Sequence, residues 1–330
     1  MAFKKLMGVF GVGGPKVDTV LPVPSCHPGG TLDGEVHIIA ADYNVDIERV
    51  TLSLVTNVEN EYGDDETTHG MEFRRYDVSG PFTLPAGANQ VIPFQLPVPW
   101  ETPVTEFYGA PLHGMVMGVR TELAVSGAVD KGDLDLFSVT PLPSQERVLE
   151  GFAQAGFTFK SADVEYGQIA GVAQELPFYQ EIEFFPPPAY QGRVNEVELT
   201  FVTDAAGIDV VLEADKQTGL YSSDDQLFRT RVGHEEALAM NWAAELTHWL
   251  DSLAGGHVGH AGFGHHGDHG FHHADHGFHH AEHGHGSHGH GSHGPGWGGV
   301  AAGAAAGFVA GMVADEVVEE IFGDDEDEDD

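Results

Sequence analysis

Short rows in which every second residue is apolar recur along the first two thirds of this chain, and they restrict it more tightly than any other feature. Val50, Leu52 and Leu54 make one row; Ile92, Phe94 and Leu96 a second; Val119, Thr121, Leu123 and Val125 a third. A period of two is what a strand shows when one of its faces is buried. Turn-rich segments such as Leu84 to Asn89 separate the rows. After a break at Pro141, Pro143 and Ser144 a second set follows: Phe178, Gln180, Ile182 and Phe184; Val197, Leu199 and Phe201; Ile208, Val210 and Leu212. Seventeen of the 18 prolines precede Gly255, at strand starts, edges or turns, where a missing N–H does not interrupt a ladder. The expected fold is all-β, with two β-sandwiches in tandem over 1–143 and 144–233.

Helical spacing is confined to two places in this body. Gln145 to Gly156 puts Val148, Leu149 and Phe152 on one face, with Ser144 placed to cap the N-terminus. From Glu235 to Leu253 the residues Leu238, Trp242, Leu246, Trp249, Leu250 and Leu253 recur at steps of three and four, and Gly255 with Gly256 supplies a stop. This predicts an amphipathic helix over 234–254 that packs its tryptophans onto the second sandwich.

Composition changes abruptly at that point. Residues 254–330 hold 15 of the 21 histidines and 14 acids, with no lysine or arginine. The full chain of 330 residues has 52 acidic and 14 basic residues, a formal charge of −38; subtracting −14 for the tail leaves −24 on the body. Such a charge repels phosphate backbones and anionic lipid, which argues against nucleic-acid binding. A single cysteine, Cys26, excludes an internal disulfide, a thiolate zinc cage and a CxxC redox pair, and fits a reducing cytoplasm. The opening run around Leu6, Met7, Val9 and Phe10 is cut short by Gly13, Gly14 and Pro15. It reads as a first strand or an apolar lead-in, with a secretory signal as the alternative. No segment before Gly255 is long and apolar enough to span a bilayer.

The stretch Cys26 to Ile38, CHPGGTLDGEVHI, has the turn-then-strand form that opens arrestin-like domains. FKKL with GVGGPKVDTVL, then LPVPWETPVT, VRTELAVSGAVDKGDLD, PFYQEIEFFP and GRVNEVELTF follow in order, and together they resemble the bacterial SpoOM sporulation-control family over roughly Phe3 to Val232. The resemblance implies a pair of arrestin-like β-sandwiches in the cytoplasm, acting in control of sporulation or of the developmental cycle before it. It brings no catalytic residues and no required cofactor. The chain as a whole reads as a non-enzymatic scaffold or regulator working through protein–protein contacts at sheet edges and junction loops.

Beyond the body, His265, His266, His269, His272, His273, His276, His279, His280 and His283 repeat with a period of seven, and HGSHG follows twice from His285 to Gly294. Imidazoles in a glycine-rich chain suit zinc, nickel or copper(II), so 255–298 reads as a His/Gly linker able to bind metal, and a metal-binding or metal-sensing protein is the alternative function. The same tract changes its charge from −14 to +1 if all 15 histidines protonate, around a pKa of about 6.5. Over 299–323, Gly303, Gly307 and Gly311 share one helix face, a spacing that permits close self-association or docking on the body. The acids of 324–330 read as a solvated end.

Within the body, Glu59 to Glu66 reads as a charged hairpin loop, lacking the ligand alternation of an EF-hand. The glycines at Gly11, Gly13 and Gly14 precede a proline and not a helix, and His234 and His248 come without a GxSxG elbow, an HExxH helix or a GK(S/T) loop. His37 reads as a paired rim residue. Cys26 has no adjacent cation to hold a thiolate.

Overall fold

A computed structural model describes residues 14–62, 65–216 and 226–254. Each apolar row becomes a strand. The N-terminal half contains β1 (Lys16–Val20), β2 (Ser25–Cys26), β3 (Thr31–Ile39), β4 (Val45–Tyr62), β5 (Asp65–Ser79), β6 (Phe82–Leu84), β7 (Asn89–Pro97), β8 (Glu106–Phe107), β9 (Ala110–Pro111), β10 (Met117–Val125), β11 (Lys131–Leu136) and β12 (Ser138–Val139). Then come α1 (Pro143–Ala155), β13 (Thr158–Tyr166), β14 (Phe178–Phe185), β15 (Val194–Asp204), β16 (Gly207–Lys216), β17 (Gln226–Gly233), α2 (His234–Ala239) and α3 (Trp242–Ala254). The all-β reading holds, with few helices.

β1, β3 and β7 form a three-stranded sheet that lies over β4, β5, β10 and β11. Leu32, Val36, Ile38, Phe94 and Leu96 from the first layer and Val50, Leu52, Leu54, Val119 and Leu123 from the second fill the space between, every one of them buried. One edge of this sandwich is closed by polar groups: the Thr19 amide of β1 donates to Asp133 Oδ2 of β11 at 2.7 Å, and the Thr19 and Thr121 hydroxyls meet at 2.5 Å. The acidic stretch after Glu59 is a hairpin, with β4 running to Tyr62 and β5 starting at Asp65.

The second half is an antiparallel meander, β13 to β17 in sequence order, joined to the first through a parallel contact of Glu165 on β13 with Glu59 on β4. One ten-stranded sheet therefore runs through both halves. The face of β14 carrying Phe178, Ile182 and Phe184 is buried, and Phe152 of α1 packs on Phe184 with ring centroids 4.4 Å apart.

Two helix details differ from expectation. The α1 N-cap is Leu142, whose amide donates to Gln145 Oε1 at 2.9 Å, while Ser144 is buried inside the first turn and bonds His234 Nδ1 at 2.8 Å. Pro143 fits the first helical position because its missing N–H is one the helix would leave unpaired. At the other end Gly156, at φ 88°, closes a Schellman turn in which Phe157 N donates to Phe152 O.

The single helix expected over 234–254 is two helices. Met240 is extended, and Asn241 accepts the Ala244 amide on Oδ1 and restarts the chain as α3. The break lets Trp242 lie directly on Gly151 of α1, where an added Cβ would come within 2.4 Å of Trp242 Cβ, and lets the indole donate to Ala237 O at 2.9 Å. Trp242, Leu246, Trp249 and Leu250 are buried, whereas Leu238, before the break, is exposed.

Candidate functional site on the second sheet

The face of β13 to β16 opposite the helices is built from alternating acids. On β13 they are Asp163 and Glu165, on β14 Glu181 and Glu183, on β15 Glu196 and Glu198, and on β16 Glu213. The strand register sets them side by side: Asp163 opposite Glu181, Glu183 opposite Glu198, Glu198 opposite Glu213. Like charges directly opposite one another destabilise a sheet. Lys160 relieves part of this, its Nζ lying 2.7 Å from Glu183 and 2.5 Å from Glu196.

Carboxylate oxygens of Asp163, Glu165 and Glu181 lie within 4.8 Å of one another, close enough to hold one cation. Burial pushes the Glu181 carboxyl up to about 9, and the charges of Glu198, Asp163, Glu165 and Glu213 push it the same way. Burial, then Glu213 and Glu196, raise Glu198 to about 8. This face therefore holds protons at neutral pH.

β17 completes the sheet with the opposite sign. Arg231 reaches Asp209 Oδ2 and Asp204 Oδ1, both at 2.7 Å, and Arg229 lies 3.4 Å from Asp209 Oδ1 and donates to the Gly171 carbonyl. The loop between β13 and β14 thus extends across the sheet to its last strand. That loop is held from the first half by Glu101, whose carboxylate accepts the amides of Glu175 and Leu176 at 2.8 Å each. Gln180 exchanges two bonds with Val104, at 2.9 and 2.7 Å, and His234 donates from Nε2 to Asp204 O at 2.8 Å beside the Trp100 ring. The junction of the halves is a set of fixed polar contacts around Trp100 to Thr105.

Comparisons with known proteins match both halves of this body. The model of the SpoOM protein family matches residues 3–218. The chain belongs to the SpoOM family. It is 32% identical over 243 residues to the sporulation-control protein spo0M of Bacillus subtilis (strain 168), an alignment covering 71% of this chain and 91% of that protein. The crystal structure of Spo0M, sporulation control protein, from Bacillus subtilis is similar with a TM-score of 0.65 at 29% identity, covering 73% of this chain and 100% of that one.

For this SpoOM family member, the nine histidines from His265 to His283 and Gly303, Gly307 and Gly311 lie outside the described residues, as do Gly11 and Gly13. His37 is paired, Nε2 to Glu35 Oε2 at 2.9 Å. Cys26 is buried, which pushes its thiol up to about 12 and leaves it a poor nucleophile. His234 serves the junction. Among the described residues, no helix is long and apolar enough to cross a membrane. Sequence reading does not single out the acid face, although its signal is present: DVE, EIE and EVE each place acids two apart, the last two at the predicted strands around Phe178–Phe184 and Val197–Phe201.

Proposed function

We propose that this chain is a non-enzymatic regulator of sporulation that works in the cytoplasm by holding protein partners on its two arrestin-like halves. The observation that carries this reading is the 32% identity to a sporulation-control protein over 91% of that protein's length. The fixed junction around Trp100 to Thr105 supports it further, since a rigid two-part body holds edges and loops in constant relation. Sheet edges supply main-chain hydrogen bonds to an extended partner, and alternate side chains supply selectivity.

The test is photo-crosslinking in sporulating cells, with benzoylphenylalanine placed singly at the exposed positions Val91, Trp100 and Tyr108. The reading expects covalent adducts to a protein partner from at least one junction or edge position. No adduct from any of the three contradicts it.

A second reading treats the body as a holder for the histidine tract, which then stores or senses zinc, nickel or copper. It rests on the 15 histidines of the tail. Metal-dependent sporulation in the full chain, lost on removing 255–330, is what it requires. Self-association through Gly303, Gly307 and Gly311 is a separate property that sedimentation of the same truncated chain measures.

A further inference from the structure

The described sheet edges differ in how they are protected, and that difference points to one of them. β11 is covered by β1 through the contacts of Thr19 with Asp133 and Thr121. In β7, Val98 donates its amide to Gly30 O, so by alternation the positions of Pro93 and Pro97 are those whose donors would face away from β3. Proline there removes two outward donors. β5 carries two register shifts against β4 and is tied to β7 by the Tyr76 hydroxyl on Pro97 O at 2.6 Å. Among the described residues β17 has no covering strand, proline or register shift, and is tied to the β13–β14 loop by the Arg229 bond to the Gly171 carbonyl. It pairs with β16 through eight residue pairs without a shift, contains no proline, and leaves Leu227 55% exposed.

Its charge is also the exception among the described strands. In a chain with 52 acids and 14 basic residues, Gln226–Gly233 reads QLFRTRVG, two arginines and no acid. Leu227, Arg229 and Arg231 share one face; Phe228, Thr230 and Val232 share the other. Asp209 of β16, 8% exposed, and Asp204 at the end of β15 hold the guanidinium planes in place, while the arginine side chains stay 37% and 39% exposed. On the opposite face, Phe228 lies 6.2 Å from the Trp249 ring and against the partly buried rim of the core with Leu253.

We propose that β17 is the docking strand for an extended segment of a partner protein in which acidic and apolar side chains alternate. This rests on the partner-binding reading above and names the edge and the partner's chemistry. An added strand places every second side chain beside Arg229 and Arg231, whose ordered forks favour carboxylates. The intervening side chains meet the partly buried Phe228. Main-chain bonds to the open side of β17 supply the rest of the affinity.

The experiment uses the full chain and two blocked peptides, Gly-Glu-Val-Glu-Val-Glu-Gly and its counterpart with Lys in place of Glu. Hydrogen exchange should show new protection at the amides of Gln226–Gly233 with the Glu peptide and none with the Lys peptide. The double substitution Arg229→Gln with Arg231→Gln should weaken the Glu peptide roughly tenfold or more, the scale of one lost charge-assisted hydrogen bond. If that variant does not fold, the exchange map of the unaltered chain decides alone.

Protection elsewhere, equal binding of both peptides, or no binding overturns the proposal. So does protection in the free chain of those β17 amides that face away from β16, independent of concentration if the chain's own C-terminal residues occupy the edge and rising with concentration if a second copy does. Crosslinks from Val91, Trp100 or Tyr108 that persist in any of these cases leave the partner-binding reading standing while removing this edge from it.

Discussion

Glu181 concentrates the physical tension of the second sheet in one residue. Its carboxyl has an ordinary value of 4.5 and is held near 9 by burial and by four acidic neighbours. A carboxyl whose proton is bound more tightly in the folded chain than in the unfolded one contributes full stability below about pH 4.5, and that contribution is lost as pH rises to about 9. Glu181→Gln keeps the shape of the protonated acid and cannot ionise. The substitution should leave Tm unchanged at pH 5 and raise it at pH 9 by roughly 4–8 °C, the effect of about 2 kcal/mol in a chain of this size. Thermal melts of both proteins at the two pH values check this, and an equal shift at both would show that charge is not the cause. The acids that produce the shift stand at alternate positions in the sequence, but strand register is what brings Asp163 opposite Glu181, and register depends on residues far apart in the chain. Cys26 was more readable, because a thiol beside a proline-glycine turn with no cation nearby has nothing to activate it.

Strand elements were legible because one-sided burial prints a period of two on the sequence, as β10 does with Val119, Thr121 and Leu123 all at 0% exposure. The last helix was less so. Steps of three and four continue from Leu238 to Leu253 without interruption, yet the chain breaks at Met240 and Asn241. The reason is tertiary: α3 turns to lay Trp242 against Gly151, a contact no local pattern encodes. Gly151→Ala tests which term dominates. Helix propensity alone favours alanine by about 1 kcal/mol. The new methyl would stand 2.4 Å from Trp242 Cβ and 3.2 Å from the Ala243 amide, so α1 and α3 must separate, an overpacking cost of about 1–3 kcal/mol. Packing should win, and the variant should melt several degrees lower. A higher Tm would mean that the two helices do not meet as described.

At the scale of the molecule, the sequence divides into a strand-rich body and a histidine- and acid-rich remainder, and that division is visible from composition alone. What composition does not reveal is that one sheet passes from the first half to the second through β4 and β13, with Glu101, Gln180 and His234 fixing the junction. These contacts join residues 75, 76 and 30 positions apart, separations at which a single sequence carries no local signal. The central claim is that regulation resides in this body, through contacts with other proteins, and not in the tail. Counting heat-resistant spores from cells that lack their own copy and carry either the full chain or a chain ending at Ala254 tests it most directly. The claim predicts equal restoration by both. Restoration by the full chain alone would contradict it and place the function in residues 255–330.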